Sequence, residues 1–307
     1  MMTHMFLWIT QKSPIARRLI FKHFFQRLAG LSSELDWWTF MNYGYAELDD
    51  GARPILLDAK DRPERYCAQL YHHVAGGADL EGRDVLEVSC GRGGGASYVC
   101  RYLGPKSVTA IDISANAIAF CRRVHSVPAL RFLEGDAENI AVSENRFDAV
   151  INVEASFCYG NIDRFFSEVE RVLRPGGYFL YADLRLAHEV DDLMQSLRRS
   201  DLVLLQARDI TENVVRALEV DNDRRVGAAD QTAPLPVRGL IRTFAGVEGT
   251  RMPRLLRSRR MQYFSFVLQK PALGAPRSTE SAALRRPAVH ARETAAAIAG
   301  DTAAARS

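Results

Sequence analysis

The stretch from Asp84 to Ala96 constrains this chain more than any other. Val85, Leu86 and Val88 form a short β-rich apolar run, and Gly91, Gly93, Gly94 and Gly95 follow at once. Ala96 to Leu103 then carries a helical pattern. Strand, glycine turn and helix together bring bare backbone against a nucleotide-like ligand, because glycine has no side chain to hold the ligand off. Asp112 ends the next apolar run, at about the 20-residue distance where a carboxylate meets a ribose. Gly91 to Ala96 also satisfies the G-x-G-x-x-A pattern of a dinucleotide site, so an NAD-dependent enzyme is the rival reading of the loop alone.

From Arg83 onward the pattern alternates. Short apolar runs at 83–88, 107–112, 130–134, 147–152 and 177–183 predict strands, and 95–103, 114–126 and 161–172 predict helices. Such alternation predicts an α/β fold with a mostly parallel sheet and helices on both faces, its strands' C-terminal ends sharing one ligand-binding edge. Further on, 202–205 reads as a strand, 211–219 as a helix and 261–269 as a final strand. Residues 221–239 have turn composition and are expected to wrap the ligand side. At 307 residues, with 47% hydrophobic and 25% charged, the chain can build one full core. The expected division is a helical and aromatic lid segment over 1–60, the α/β domain over 61–271, and a disordered Ala/Arg-rich tail over 272–307.

Residues 14–29 predict a helix with Ile15, Leu19, Phe24, Phe25 and Leu28 on one face and a basic opposite face. It packs on the core, or its basic and aromatic surface touches a membrane interface. Leu35 to Ala46 holds Trp37, Trp38, Phe40, Tyr43 and Tyr45. That density predicts either a ligand-covering wall, whose aromatic faces attract a cation, or a plain packed cluster. Residues 62–75 predict a helix leading to Gly76 and Gly77.

Composition excludes several classes. A net charge of +3 makes no case for a nucleic-acid partner. The five cysteines contain no C-x-x-C pair, which argues against structural zinc and fits reduced cytosolic thiols; Cys90 in the glycine loop reads as a small apolar residue rather than a nucleophile. No His/Asp/Glu cluster has ligand spacing, so no metal is expected. No apolar run reaches membrane-spanning length, and residues 1–10 lack the basic flank and cleavage site of a signal peptide.

Three motifs bear a family resemblance. Glu87, Ser89, Gly91 and Gly93 follow the E-x-G-x-G spacing, with Ser89 in place of the first glycine; Gly135-Asp-Ala-Glu-Asn139 follows the third strand, and Arg171-Val-Leu-Arg-Pro-Gly-Gly177 precedes the fifth. Together they resemble the class I S-adenosylmethionine-dependent methyltransferases. The resemblance implies a Rossmann-like sheet of seven strands, mostly parallel with an antiparallel last strand, and S-adenosylmethionine as cofactor. It implies that the glycine-loop residues Ser89, Gly91 and Gly93 face the amino-acid and ribose portion, that Glu87 receives the ammonium, and that Asp112 takes the ribose hydroxyls with Ile113 against adenine. Asp136 and Ala137 then meet the adenine edge, and Asn152 is a further cofactor candidate. Arg92 is expected to face solvent.

The strings Gly93-Gly-Gly-Ala-Ser-Tyr98, Val153-Glu-Ala-Ser156 and Tyr181-Ala-Asp-Leu-Arg185 narrow the resemblance to a lipid- and polyketide-tailoring subgroup. That subgroup includes the mycobacterial phthiotriolone dimycocerosate and fatty-acid O-methyltransferases, and the similarity runs from about Phe40 to Lys270. Tyr43, Glu154 and Phe157 are the catalytic candidates, on the acceptor side. Relatives tend to carry histidine where this chain has Phe157. A hydroxyl acceptor needs a general base, commonly histidine, whereas a carboxylate is already ionised at neutral pH. The expected acceptor is therefore the carboxyl of a long-chain fatty or hydroxy-fatty acid, giving a methyl ester of the diffusible-signal kind. Alternatives are a hydroxyl or enol of a complex lipid or polyketide, with His72, His73, His188 or Asp183 as base, and a non-catalytic binder of cofactor or lipid. The basic run Arg251–Arg260 is a solvated face or, with Arg185, a counter-charge for the carboxylate or an acidic carrier protein. The expected location is cytoplasmic, with peripheral contact at the inner membrane surface.

Overall fold

The computed structural model describes residues 36–272 apart from 50, 53, 233 and 234, together with Ile20, His23 and Gln26. The amphipathic helix expected over 14–29 therefore lies outside the described residues except for those three, which are helical, and so does the tail from 273. Seven strands form one sheet: β1 (Asp84–Val88), β2 (Ser107–Asp112), β3 (Leu130–Glu134), β4 (Phe147–Val153), β5 (Leu173–Leu186), β6 (Val203–Asp209) and β7 (Met261–Gln269). Their order is β3-β2-β1-β4-β5-β7-β6. All neighbouring pairs are parallel except those of β7, which runs antiparallel to both β5 and β6. The expected sheet, with its antiparallel last strand, is the one observed.

Burial explains the order. Every residue of β1 is buried, so this strand needs helices on both faces. The edge strands β3 and β6 carry exposed Arg131, Glu134 and Leu205 on open edges. Two apolar cores result, one per face. The first unites α1 (Arg65–Ala75), α2 (Gly94–Tyr102), α3 (Ala115–Val124), α6 (Thr211–Val220) and α9 (Arg251–Arg257). The second packs α4 (Ile162–Val172) and α5 (Val190–Arg199) on the other face, around a ladder in which the Phe179 and Tyr181 rings stack at 5.1 Å and those of Tyr181 and Phe266 at 5.5 Å. Strand alternation splits β1 between the two. Val85 faces the first core, and Leu86 and Val88 face the second. Glu87 therefore points, as a lone carboxylate, into the first.

Three expectations are corrected. Residues 221–239 are not turns: α7 (Asn222–Thr232) and α8 (Leu235–Phe244) occupy them. The Asn and Asp that suggested turns stand at the start of α7, where short polar residues favour a helix N-terminus, and Pro236 falls in the first turn of α8, where its missing N–H costs nothing. The fifth strand starts at Leu173 rather than 177. Its Pro and glycines sit at a register shift opposite Phe147 and Ala149, which lets the pairing resume beyond them. The helix expected over 62–75 opens with a separate 3-10 turn, Arg62–Glu64. No helix among the described residues is long and apolar enough to cross a membrane.

Tyr71 of α1 lies against α2 at Gly95, where an added Cβ would lie 2.0 Å from the Tyr71 ring. Gly95→Ala is expected to destabilise by about 2 kcal/mol or more, as overpacking does, and to lower the melting temperature by several degrees. Gly227→Ala in α7, where a Cβ meets nothing within 4 Å, should instead stabilise by about 0.5–1 kcal/mol. Thermal melts of the two variants check both signs.

Candidate active site

A cleft of ≈ 1120 Å³ opens over the C-terminal ends of β1, β2 and β4. Ser89, Gly91, Asp112, Ile113, Asp136 and Ala137 line one part of it, and Glu154 and Phe157 another. The expected cofactor residues Glu87, Gly93 and Asn152 are adjacent but do not line it.

The loop after β1 takes left-handed backbone at Ser89 (φ 61°), Gly91 (53°) and Gly93 (77°). Ser89 thus adopts the conformation that glycine adopts freely, at a cost of about 1–2 kcal/mol. Its hydroxyl lies 2.6 Å from that of Tyr159, a contact glycine lacks. The Gly91 N–H donates to Asp112 Oδ2 and the Ser114 N–H to Oδ1, both at 2.9 Å. Those two amides fix the carboxyl at the end of β2, while burial raises its pKa to about 6. At Gly93 a Cβ would come within 2.9 Å of Phe132, Cys121 and His125, so this glycine serves packing against α3 and β3. Asn152 Nδ2 donates to the Val88 carbonyl and the Tyr159 hydroxyl at 2.9 Å, which ties β4 to the loop. Cys90 is buried, and its thiol is held well above the ordinary range by its Cys121 hydrogen bond and by burial, as an inert residue would be.

Glu87 is 2% exposed and accepts a 2.6 Å hydrogen bond from the Tyr71 hydroxyl on α1. Its other oxygen is buried without a hydrogen-bond partner. Burial raises its pKa to about 8, with Asp112 adding to the rise and Tyr71 opposing it.

Residues 36–46 form the wall above the cleft. They are irregular, yet Trp38, Phe40, Asn42, Tyr43 and Tyr45 are buried. Buried irregular backbone needs partners for its N–H and C=O groups, and ionisable side chains supply several. Glu64 accepts from the Thr39 N–H (2.8 Å), the Thr39 hydroxyl (2.7 Å) and the Phe40 N–H (3.3 Å). Arg225 on α7 donates to the Tyr43 carbonyl at 2.9 Å, and Glu154 accepts from the Tyr43 N–H at 2.8 Å. Arg92 is not solvent-facing, as its loop position suggested: it is 1% exposed, donates to the Trp38 carbonyl, and lies 3.5 Å from the Phe120 ring centroid. The N-terminus of α2 completes the docking, with the Gly94 N–H donating to the Thr39 carbonyl at 3.1 Å. Of the five aromatics, Phe40 reaches the cleft, Trp38 and Tyr43 line a smaller side cavity of ≈ 400 Å³, Tyr45 stacks on His73 at 4.4 Å, and Trp37 is exposed. Nothing in the sequence distinguished Glu64 or Arg225 from ordinary helix-start charges.

Glu154 borders both the cleft and the side cavity, whereas Tyr43 borders only the latter. No histidine among the described residues lines the cleft. His72 pairs with the Tyr98 hydroxyl at 2.9 Å, and His73 with the Ser265 hydroxyl at 3.0 Å, while burial lowers the His73 pKa to about 4. His188 is exposed. Arg185 and Asp183 are buried and bridged at 3.0 Å behind the strand end. Asp183 also accepts from the Ser156 hydroxyl and the Phe157 N–H. Arg185 is therefore spent on the fold rather than offered as a counter-charge. In the basic run, Arg257 pairs with Glu219 and Glu248, and Arg259 with Asp209.

A methyltransferase-domain family model matches residues 86–181. The fatty-acid O-methyltransferase of Mycolicibacterium smegmatis is 39% identical over 257 residues, covering 84% of this chain and 90% of its own. The phthiotriol/phenolphthiotriol dimycocerosates methyltransferase of Mycobacterium tuberculosis is 42% identical over 231 residues, covering 75% and 85%. Among solved structures, the cyclase SpnF superposes with TM-score 0.62 at 21% identity, over 82% of this chain and 95% of that one. Geranyl diphosphate C-methyltransferase from Streptomyces coelicolor A3(2) gives 0.59 at 15%, over 83% and 97%. At those identities the two structures speak for the fold alone.

Buried Glu87 makes stability fall with pH. Its folded pKa, about 8, lies above the ordinary 4.5, so the folded state keeps a proton that the unfolded chain has released in between. The stability this contributes is complete below the unfolded value and is lost as pH rises through 8. Denaturant melts at pH 5 to 8 should show Glu87→Gln with a shallower decline than the parent, by up to about 1.4 kcal/mol per pH unit. Equal slopes would contradict the assignment.

Proposed function

The chain belongs to the class I S-adenosylmethionine-dependent methyltransferases, and from that membership we propose that it methylates an oxygen of a long-chain acyl substrate. The acceptor we assign is the carboxyl of a fatty or hydroxy-fatty acid, giving a methyl ester of the kind that serves as a diffusible signal. The names of its mycobacterial relatives support a lipid acceptor. The observation that carries the carboxyl reading is the acceptor end of the cleft, where Phe157 stands and no described histidine reaches. An ionised carboxylate needs no base to take its proton.

The residues fit the cofactor. Gly91 offers backbone at the cleft wall, and a Cβ there would lie 3.4 Å from Met41 Sδ. Asp112 is held in place by two amides at the β2 end, where ribose hydroxyls are recognised in such sheets. Ser89 and Gly91 are assigned to the amino-acid and ribose side, Ile113 to the adenine face, and Asp136 and Ala137 to its edge. Glu87, whose second oxygen has no hydrogen-bond partner, is assigned to the ammonium of the cofactor, which would draw off its proton on binding; Gly93 and Asn152 hold the loop's shape. S-adenosylmethionine, when bound, supplies an electrophilic methyl on a sulfonium. The chain's task is to align the acceptor oxygen with that methyl and to exclude water, and the docked wall of residues 38–43 does the latter. Presentation by a carrier protein and a peripheral membrane contact through residues 14–29 are parts of the same reading.

A second reading, transfer to a hydroxyl, is supported by Glu154, a half-buried carboxyl bordering the cleft. The purified protein, given free fatty acid and methyl-labelled S-adenosylmethionine, should yield a labelled methyl ester by mass spectrometry. Labelled ether alone, from a hydroxy-fatty acid, would overturn the carboxyl assignment.

A further inference from the structure

Glu154 follows the last residue of β4 and takes left-handed backbone, φ 53°, without being glycine. Such strain costs about 1–2 kcal/mol and persists only where the surroundings impose it. Here the Glu154 N–H donates to the Ala182 carbonyl at 2.8 Å, which holds the turn. Its side chain stands in the partition between cleft and side cavity. Oε2 accepts twice, from the Tyr43 N–H at 2.8 Å and the Tyr263 hydroxyl at 3.1 Å. Oε1 has no hydrogen-bond partner among the described residues and is not sealed in the interior. One oxygen is thus pinned from two elements, and the other is left for whatever occupies the cleft.

We propose that Glu154 recognises the acceptor as an acid: its open oxygen carries a proton and donates it to the non-reacting oxygen of the acceptor carboxylate. The proposal rests on the carboxyl reading above. Ionised, Glu154 would repel a carboxylate across the same cleft; protonated, it presents a donor and turns a like-charge clash into a charge-assisted hydrogen bond. The acceptor's free oxygen then forms the C–O bond with its own electron pair, the pair of the breaking C–S bond leaves with the thioether, and the proton stays on Glu154. No base is required.

The low-dielectric setting and the carboxylate of Asp183 favour the protonated form of Glu154 over the donors and the cation that face it. Asp183 from β5 opposes a further negative charge there. The hydroxyls of Tyr43 from the wall and Tyr71 from α1 are held neutral by burial and nearby carboxyls, and Cys158 lies beside Tyr43. The Tyr263 hydroxyl from β7 and the Tyr43 N–H, by donating to Oε2, pull the other way. The cation on that side, Arg225 of α7, is engaged by Asp221 at 3.1 Å and by wall carbonyls. Arg185 is engaged by Asp183. Burial, with Asp183 adding to it, raises the Glu154 pKa to about 8, against the two donors on Oε2.

The test is the pH profile of kcat/KM with free fatty acid and labelled S-adenosylmethionine. The parent should hold its rate up to about pH 8 and lose it about tenfold per unit above. Glu154→Gln keeps a donor but no titration: it should lose several-fold at pH 7, mostly in KM, and lack the alkaline fall. Tyr263→Phe removes one donor from Oε2, so its alkaline fall should move to higher pH; this second variant keeps the idea testable should the glutamine variant not fold. A parent rate that rises with pH, or a folded, cofactor-binding Glu154→Gln enzyme that is dead at every pH, would make Glu154 a general base and overturn the proposal. Failure of the carboxyl reading shows separately, as an ether rather than an ester from the parent enzyme.

Discussion

The site depends on satisfying the backbone of one irregular buried segment. Residues 38–43 belong to no helix or strand, yet they form the wall of the cleft, and each buried main-chain polar group left unpaired would cost about 1–3 kcal/mol. Four ionisable side chains from four places in the chain meet that demand: Glu64, Arg92, Glu154 and Arg225. Glu64, Arg92 and Arg225 are themselves buried, and Glu154 is half-buried at the cleft. Each is compensated by main-chain dipoles, and Glu64 and Arg225 also by ion pairs with Arg224 and Asp221.

The glycine loop is organised around the same economy of space. Ser89 occupies a left-handed position where glycine is the ordinary choice, and the side chain whose Cβ makes the conformation costly also carries the hydroxyl that contacts Tyr159. Tyr159 in turn receives the Asn152 amide. The departure from the glycine pattern is thereby linked to the end of β4, so the glycine loop and the Glu154 side of the cleft share a hydrogen-bonded connection.

Most of the fold was legible in the sequence because each central strand is a short apolar run closed by glycine or a carboxylate, and periodicity reads such runs well. Asp112, Asp136 and Ala137 fall where strand ends must fall, so their arrival at one cleft follows from the parallel sheet. Glu87 and Asn152 were legible as positions but not as environments: whether a side chain at a strand end faces a ligand or a neighbouring helix depends on packing by Tyr71 and Tyr159, distant in sequence. Arg92 was misjudged because a charge in a glycine loop ordinarily seeks solvent, and only the aromatic pocket of Trp38 and Phe120 makes its burial tolerable. Helices α7 and α8 were hidden by residues whose turn preference and helix-start preference coincide.

The fastenings of residues 38–43 are made almost wholly to main-chain atoms, which every amino acid possesses. Changing Phe40 or Met41 alters the shape of the chamber without undoing the docking of its wall. A wall built this way allows single substitutions to change which ligand the chamber admits while the backbone that encloses it stays docked.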